Sequence, residues 1–298
     1  MQIPTTSRLC NLIFIIKSTL HSFQLYYFHK LGVRMILDEF DNELTSVINP
    51  ESNHKPIKDF PRTAVSFFSK ALMEKCIDLY HPKKIAELSH SSGNFPIYVI
   101  NENGIDIAVY QSMLGAPACV LQYEEMIALG IKNLVLVGSC GCLDKTIEEF
   151  SIIIPHEAVR DEGTSYHYYP KNDEIRMNAR VVKILEKVLR QRETCFIKTK
   201  TWTNDAFYRE TKAKVKRRKE MGCRVVDMEC SAMIAVAKFR KVNFGQLFYS
   251  ADNLDSDYWD PRNLRNYELE KRNHLIPLAI ACAKQMDIEM PNENTKEQ

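Results

Sequence analysis

The chain has 298 residues, of which 45% are hydrophobic and 26% are charged, and its formal net charge is +2. This composition fits one large α/β domain or two small ones. The near-neutral charge gives no electrostatic reason to expect a nucleic-acid partner. The locally basic run at 212–219 is typical of a solvated helix face.

Residues 1–34 differ in composition from the rest of the chain. No acidic residue occurs before Asp38, and the apolar run at 12–16 is too short to span a membrane. No cleavage site of the A-x-A type follows it. These features fit either a transit segment or an extension upstream of a start at Met35. We favour the extension because ordinary globular composition begins at Met35.

Short runs of β-branched and aromatic residues predict eight strands, and helical periodicity between them predicts six helices. The strands are expected at 63–68, 96–101, 105–110, 133–138, 151–155, 195–199, 224–228 and 244–251. The helices are expected at 70–80, 117–129, 176–192, 209–221, 229–240 and 268–284. Asn103 and Gly104 predict a hairpin turn, and Pro117 and Gly130 suit the two ends of one helix.

The two most apolar strands, at 133–138 and 244–251, suit the centre of a sheet that is covered on both faces. The alternation of strands and helices predicts a single α/β/α sandwich over 35–288. Residues 289–298 have the composition of a flexible tail. None of the nine cysteines forms a C-x-x-C pair, and most lie in apolar runs. They are typical of reduced core thiols in an intracellular, cytoplasmic protein.

A glycine-rich segment, Gly138-Ser139-Cys140-Gly141, follows an apolar strand. Ligands bind at the carboxyl ends of strands in open α/β sheets. Glycines allow the backbone to approach an anion, and Ser139 offers a hydroxyl. The spacing alone also fits an ordinary tight turn after a strand. Cys140 and Cys142 have no neighbouring histidine in the sequence, which argues against a metal site.

Two acidic segments follow other predicted strands. Asp227 and Glu229 are two residues apart at a strand end, a spacing that places both carboxylates on one side, where they could hold the hydroxyls of a ribose. Asp252 lies beyond a wholly apolar strand, where burial could raise its pKa enough for it to donate a proton. Alone, each of these acids also fits a helix or loop cap.

Taken together, these segments resemble the nucleoside phosphorylase family of purine nucleoside and uridine phosphorylases. The resemblance covers roughly residues 60–255, and the order and spacing of the motifs carry it. The motifs are Leu114-Gly115-Ala116-Pro117, Glu124-Glu125, Gly138-Ser139-Cys140-Gly141, 152–160, Asp205-Ala206-Phe207-Tyr208, Asp227-Met228-Glu229 and Ser250-Ala251-Asp252. The resemblance implies a mixed, partly barrel-like sheet flanked by helices, and assembly as a dimer or hexamer. It also implies a nucleoside and inorganic phosphate as substrates, without a cofactor, a metal or a membrane partner.

The resemblance also implies roles for single residues. Glu229 would hold the ribose 2′- and 3′-hydroxyls, Met228 would pack on the sugar, and Asp227 stands where many members have Glu. The base would lie against Phe207 and Tyr208, with Asp252 near N7 of a purine. His54 is the candidate for a histidine that reaches the ribose 5′-hydroxyl across a subunit interface.

Phosphate would contact Ser139 and Gly138, but the three family arginines that bind phosphate are missing at the expected places. These places are Leu136, the segment 67–70 and the segment 92–93. The candidate replacements are Arg160, Lys70, Arg62 and Arg209. Of these, Arg160 is taken as the phosphate contact. The segment 160–168 resembles uridine phosphorylase-like members, which favours phosphorolysis.

Three functions remain open from the sequence. The favoured one is a phosphorylase of purine salvage, which releases a free base and ribose 1-phosphate. Purines are preferred because of Asp252, although a uridine phosphorylase is an alternative. The second is a nucleosidase, which would use water activated by a glutamate, with Glu51 as the candidate. The third is a nucleoside-binding protein that has lost catalysis.

Overall fold

The structure is a computed structural model that describes residues 35–262 and 272–290. The chain divides by its contacts into a unit that ends at Glu39 and a unit that begins at Phe40. The described part of the first unit is one 3₁₀ turn, Ile36–Asp38. The predicted extension over 1–34 lies outside the described residues, so the boundary at Met35 stays a prediction.

The described residues of the second unit form ten strands and seven α-helices. The strands are β1 (Thr63–Phe67), β2 (Lys83–His90), β3 (Gly93–Glu102), β4 (Ile105–Gln111), β5 (Asn133–Cys142), β6 (Ile152–Asp161), β7 (Glu174–Arg176), β8 (Phe196–Asn204), β9 (Cys223–Asp227) and β10 (Asn243–Asn253). The helices are α1 (Pro50–Asn53), α2 (Lys70–Tyr80), α3 (Ala116–Leu129), α4 (Ala179–Gln191), α5 (Lys212–Glu220), α6 (Cys230–Arg240) and α7 (Leu275–Glu289).

Five of the strands close into a barrel. Around the ring, β5 pairs with β10, β10 with β6, β6 with β8, β8 with β9, and β9 again with β5. The sheet extends from β5 through β1, β4, β3 and β2, while β7 pairs with β6. Parallel and antiparallel pairs are mixed, which confirms the predicted mixed, partly barrel-like sheet.

Strand β5 belongs to both parts of the sheet because it changes its neighbour along its length. Its first half pairs with β1, whereas Gly141 and Cys142 pair with β9. The segment 138–141, which we expected to be a loop after the strand, is therefore part of the strand. A side chain at Gly141 would meet Leu254 Cδ1 at 2.8 Å, so glycine permits this close packing.

Helices pack on both faces of the sheet. Helices α3 and α6 pack together, with α6 against β6, β8 and β10, and helices α4 and α7 pack together, with α7 against β1, β4 and β5. Strands β5 and β10 are almost fully buried, as their apolar sequences predict. The predicted α/β/α sandwich is confirmed, and it brings the carboxyl ends of the parallel strands β5 and β10 side by side.

Several predicted boundaries were wrong for local reasons. The helix predicted at 176–192 begins only at Ala179, because Asn178 accepts a hydrogen bond from the Arg180 N–H. The helix predicted at 209–221 begins at Lys212, after the N-cap Thr211. Strands β2 and β7 were not predicted. The last helix, predicted at 268–284, is described over Leu275–Glu289, and 263–271 and the tail residues 291–298 lie outside the described residues.

Two smaller predictions concern the surface and the thiols. Helix α5 buries only Val215, so the basic run is a solvated face as expected. Of the eight described cysteines, all are free, and every one except Cys195 is buried. Within 35–262 and 272–290, no helix has the length and apolar character needed to cross a membrane.

Candidate active site

A cleft of three adjoining chambers lies where β5, β9 and β10 end. The central chamber has a volume of about 380 Å³ and contains most of the predicted site residues. Its lining includes Ser139, Gly141, Asp227, Met228, Glu229 and Asp252. The site predicted from separate segments of the sequence therefore comes together in one place.

The other two chambers open on either side of the central chamber. The first, of about 630 Å³, is called here the Arg272 chamber, and it shares Phe68, Leu114 and Ser139 with the central chamber. The second, of about 570 Å³, is called here the Trp259 chamber. It shares with the central chamber the residues Phe207, Tyr208, Glu210, Asp252 and Leu254.

Glu229 places its carboxyl group in the central chamber just before α6. The side chain is 4% exposed, and Oε1 accepts a hydrogen bond of 2.7 Å from the Gly115 backbone N–H. Burial raises the pKa of this carboxyl group to about 8, and the negative charge of Asp227 adds to the shift. Glu229 is therefore held in position by the backbone of a distant segment.

Asp227 also lines the central chamber, but both of its oxygens bind protein donors. Oδ1 accepts hydrogen bonds from the hydroxyls of Thr201 and Thr203 at 2.8 and 3.0 Å. Oδ2 accepts from the backbone N–H groups of Glu229 and Cys230 at 2.8 and 2.6 Å. Since Glu229 is the N-cap of α6 and Cys230 is its first residue, Asp227 anchors the start of this helix and the backbone of Glu229. The predicted contact of Asp227 with ribose stays a prediction, and its four bonds favour a positioning role.

Ser139 is exposed and lies between the central chamber and the Arg272 chamber. The neighbouring Gly138 is buried under the ring of Phe68. A Cβ atom on Gly138 would come within 2.8 Å of Phe68 Cδ2. The approach of an anion to the Gly138 backbone is therefore restricted by an aromatic ring.

Arg272 is a cation of the cleft that the sequence analysis missed. It is 3% exposed, lines the same chamber as Ser139, and donates a hydrogen bond of 3.1 Å to Tyr249 Oη. Arg272 lies outside the family motifs, so the sequence gave no reason to place it in the cleft. Ser69 lies in the same chamber and caps α2 by accepting from the Leu72 N–H, so the first turn of that helix also borders the chamber.

Arg160, the favoured sequence candidate for phosphate binding, is buried among protein acceptors. Its guanidinium donates to Ser165 Oγ at 2.8 Å. It also donates to the carbonyl groups of Pro170, Asn172 and Tyr169. The predicted phosphate contact is untested, and these bonds favour a structural role in holding the segment after β6.

The other candidate cations are also placed. Arg62 binds Asp287 and the carbonyl of Met290 at the end of α7. Lys70 lines the Arg272 chamber but pairs at 3.6 Å with Glu74 on the surface of α2. Arg209 is exposed in a 3₁₀ turn after β8.

Asp252, the predicted general acid, lies at the end of β10, where the central chamber meets the Trp259 chamber. It is 4% exposed, and its Oδ2 accepts a hydrogen bond of 2.7 Å from Trp259 Nε1. Burial raises the pKa of this carboxyl group, while the bond from Trp259 acts in the opposite direction. The burial that the sequence analysis required of Asp252 is therefore present.

Glu210 is a second acid at this end of the cleft, and the sequence analysis gave it no role. It lines the same two chambers as Asp252, and the amide of Asn204 lies 3.4 Å from its Oε1. Burial raises the pKa of Glu210 to about 7, with further contributions from the negative charges of Asp252 and Asp227. Its position three residues after Phe207 was the available signal.

The predicted aromatic residues border the same region. The rings of Phe207 and Tyr208 pack edge to face with centroids 5.2 Å apart, and Tyr208 is 94% exposed. His54 lies elsewhere. Its Nε2 is 3.1 Å from Glu125 Oε1, and the other oxygen of that carboxylate is 3.1 Å from His90 Nε2. His54 does not line the chambers of this single chain, so its predicted contact across an interface stays a prediction.

Comparison with known proteins identifies relatives of this chain. An uncharacterised protein of Acanthamoeba polyphaga mimivirus is 28% identical over 149 residues, which cover 50% of this chain and 58% of that protein. A purine nucleoside phosphorylase of the DeoD type from Bacillus cytotoxicus is 26% identical over 153 residues, covering 51% of this chain and 65% of the relative. The chain thus spans about three fifths of the length of these curated relatives.

Solved structures share the fold over a larger part of the chain. A purine nucleoside phosphorylase of Toxoplasma gondii in complex with immucillin-H has a TM-score of 0.64 and 21% identity, and the match covers 76% of this chain and 92% of that one. A uridine phosphorylase of Vibrio fischeri has a TM-score of 0.65 and 18% identity, with 81% and 98% covered. The family model of the phosphorylase superfamily matches residues 67–281, which is most of the chain. With the barrel and the motif order described above, this match confirms the resemblance: the chain belongs to the phosphorylase superfamily, in which its relatives include purine nucleoside phosphorylases.

Proposed function

We propose that the protein cleaves the N-glycosidic bond of purine nucleosides with inorganic phosphate and releases the free base and ribose 1-phosphate. The observation that carries this proposal is the order of groups along the cleft. A buried cation lies in one outer chamber, the Glu229 carboxyl group in the centre, and two acids with aromatic rings in the other outer chamber. This order matches phosphate, ribose and base.

The chemistry of the reaction fits these groups. Cleavage builds positive charge on the ribose and negative charge on the departing base. A carboxyl group at the sugar hydroxyls orients the ribose, and a second carboxyl group that protonates the base lowers the barrier. Glu229 and Asp252 are the residues that the sequence analysis assigns to these two roles. Their burial strengthens each interaction because the local dielectric constant is low.

Arg272 takes the place of the missing arginines in this proposal. A hydrogen bond to a charged group contributes about 1.5–3 kcal/mol, and millimolar affinity requires about 4 kcal/mol. Arg272 and the hydroxyl of Ser139 line the same chamber, and we propose that they share the binding of phosphate. The N-terminus of α2 beside Ser69 also favours an anion in this chamber.

The purine preference has support from the site and from the relatives. Asp252 lines the part of the cleft that we assign to the base, and a purine nucleoside phosphorylase is among the relatives in sequence and in fold. Because a uridine phosphorylase has a similar fold, cleavage of pyrimidine nucleosides is the alternative. As in the sequence analysis, we expect a homo-oligomer, a dimer or a hexamer, in which a partner chain contributes to the site near His54.

The deciding experiment is an assay of the purified protein with inosine, adenosine, guanosine and uridine, each with and without phosphate. Chromatography follows the free base and separates ribose 1-phosphate from ribose. We expect phosphate-dependent formation of ribose 1-phosphate from purine nucleosides. Binding of nucleosides without any release of base would contradict the proposal and favour a binding protein.

A nucleosidase is the second candidate, and the packing of Phe68 on Gly138 favours it. This ring covers the backbone that a phosphate would approach. Glu51, the sequence candidate for activating water, is exposed on α1 and does not line the chambers, so water would need another base. Free ribose at a rate that does not depend on phosphate would establish this function.

A further inference from the structure

We propose that Glu210 donates the proton to the leaving base, and that Asp252 is held by Trp259 as a hydrogen-bond acceptor for the same base. The inference rests on the proposed function and assigns its general acid to a residue outside the family motifs. The two acids lie together in the lining of the Trp259 chamber.

Glu210 and Asp252 line both the central chamber and the Trp259 chamber, so a base between these chambers contacts both acids. Asn204, which is 1% exposed, fixes the turn that carries Glu210. Its amide donates to the carbonyl of Ala206 at 3.0 Å and to Glu210 Oε1 at 3.4 Å. The Glu210 carboxyl group is therefore supported from the protein side of the chamber.

The two acids differ in their hydrogen-bond partners. Asp252 accepts a strong hydrogen bond from the indole N–H of Trp259 at 2.7 Å, and an N–H donor stabilises the ionised form of a carboxyl group. The amide contact on Glu210 is long, at 3.4 Å, and gives less stabilisation. The negative charge of Asp252 raises the pKa of Glu210, so we place the proton on Glu210.

Burial and two neighbouring carboxylates favour the protonated form of Glu210. Burial makes the largest contribution and raises the pKa of Glu210 to about 7, where a group both holds a proton and releases it readily at neutral pH. Asp252 and Asp227 raise this pKa further, while Lys214 on α5 lowers it. Lys212 and Asp257 also line the Trp259 chamber.

The proton balance is simple. The bond between C1′ and the base nitrogen breaks, and its electron pair leaves with the base. A phosphate oxygen forms the new bond to C1′, and the proton of Glu210 moves to N7 of the base. The resulting Glu210 carboxylate regains a proton from solvent, which receives the proton lost by the phosphate.

A comparison of two substrates distinguishes the loss of proton donation by Glu210 from general damage to the site. One is the nucleoside that the wild type cleaves best, and the other is 4-nitrophenyl β-ribofuranoside, whose leaving group departs as a stable anion without a proton. We expect Glu210→Gln to slow the nucleoside by about 10²–10⁴-fold and to leave the nitrophenyl substrate nearly unchanged. Glu220→Gln, an exposed change on α5, is the matched control and leaves both rates unchanged.

The pH dependence gives a second readout. The rate of nucleoside cleavage at saturating phosphate should fall as the pH rises through about 7, because Glu210 loses its proton. This decrease, the alkaline limb of the pH–rate profile, should be absent with the nitrophenyl substrate. Asp252→Asn removes a negative charge and moves the limb to lower pH. If Asp252→Asn, and not Glu210→Gln, shows the selective loss on the nucleoside, the assignment is overturned.

Infrared spectroscopy of the free protein tests the location of the proton without any turnover. The difference between wild type and Glu210→Gln should contain a protonated carboxyl band at pH 6 that is lost at pH 8. The absence of this band in that difference, with its presence in the difference for Asp252→Asn, would overturn the assignment. A wild type that cleaves no nucleoside but shows the Glu210 band would refute the proposed function alone.

Discussion

The backbone N–H of Gly115 donates a hydrogen bond of 2.7 Å to the Oε1 atom of Glu229, across 114 positions of the chain. Gly115 has φ of 88°, a conformation that side chains with a Cβ rarely adopt, and this orients its N–H toward the carboxyl group. Two motifs that carry the family resemblance, 114–117 and 227–229, are thus joined directly at the site.

Gly115→Ala should therefore damage catalysis as well as stability. The left-handed conformation costs an alanine about 1–3 kcal/mol, and relief of this strain reorients the N–H. Gly222→Ala is a matched control, because Gly222 has the same φ of 88° and open space around it. Both variants should lose similar stability in urea denaturation, but only Gly115→Ala should lose kcat/KM for the nucleoside. Equal activity in the two variants would show that the bond does not position Glu229.

Glu229→Gln should change the pH dependence of stability. Burial raises the pKa of Glu229 from 4.5 to about 8, so the folded state holds one proton more than the unfolded state between these values. Stability from this group is fully present below pH 4.5 and is lost as the pH rises through 8. Urea midpoints of wild type and variant should therefore agree near pH 5 and separate by pH 9, where the variant is more stable. Parallel midpoint curves would contradict the raised pKa.

The barrel and the central chamber could be predicted largely from the sequence, because apolar strands and the order of motifs dictate them. Asp227, Glu229, Ser139 and Asp252 meet as expected at the strand ends. Strand β2 was missed because its sequence is rich in charge, since much of it is exposed at the edge of the sheet. An edge strand lacks the apolar signal that marks a buried one.

The cations and the second acid could not be predicted for a different reason. A local motif does not show which arginine is satisfied by backbone carbonyl groups and which faces a cavity. Arg160 lies in a segment that resembles the family, but it donates hydrogen bonds to backbone carbonyl groups. Arg272 lies just before α7 and lines the cleft. The role of Glu210 depends on the burial of its own side chain near Asp252 and Asp227, which composition does not reveal.

The two arginines lead to opposite predictions. Arg272→Ala should raise the KM for phosphate by about 10- to 150-fold, the equivalent of one charged hydrogen bond of about 1.5–3 kcal/mol. Arg160→Ala should destabilise the protein by about 2–4 kcal/mol, because it leaves buried carbonyl groups without donors, and should not change the phosphate KM. Tyr249→Phe controls for the Arg272–Tyr249 bond. The reverse pattern would return phosphate binding to Arg160.

The contact between Phe68 and Gly138 should set the balance between phosphate and water. Phe68→Ala opens the Gly138 backbone, so the ratio of ribose 1-phosphate to ribose should rise at a fixed phosphate concentration. Gly138→Ala alone should lower kcat/KM for phosphate, because its Cβ would lie 2.8 Å from the Phe68 ring.

In the double variant the clash is gone, so we expect a coupling energy of about 0.5–3 kcal/mol between the two positions. Product ratios and phosphate kinetics of the four proteins measure this coupling. Strictly additive effects would mean that the ring does not control access to Gly138, and the nucleosidase hypothesis would lose the observation that favours it.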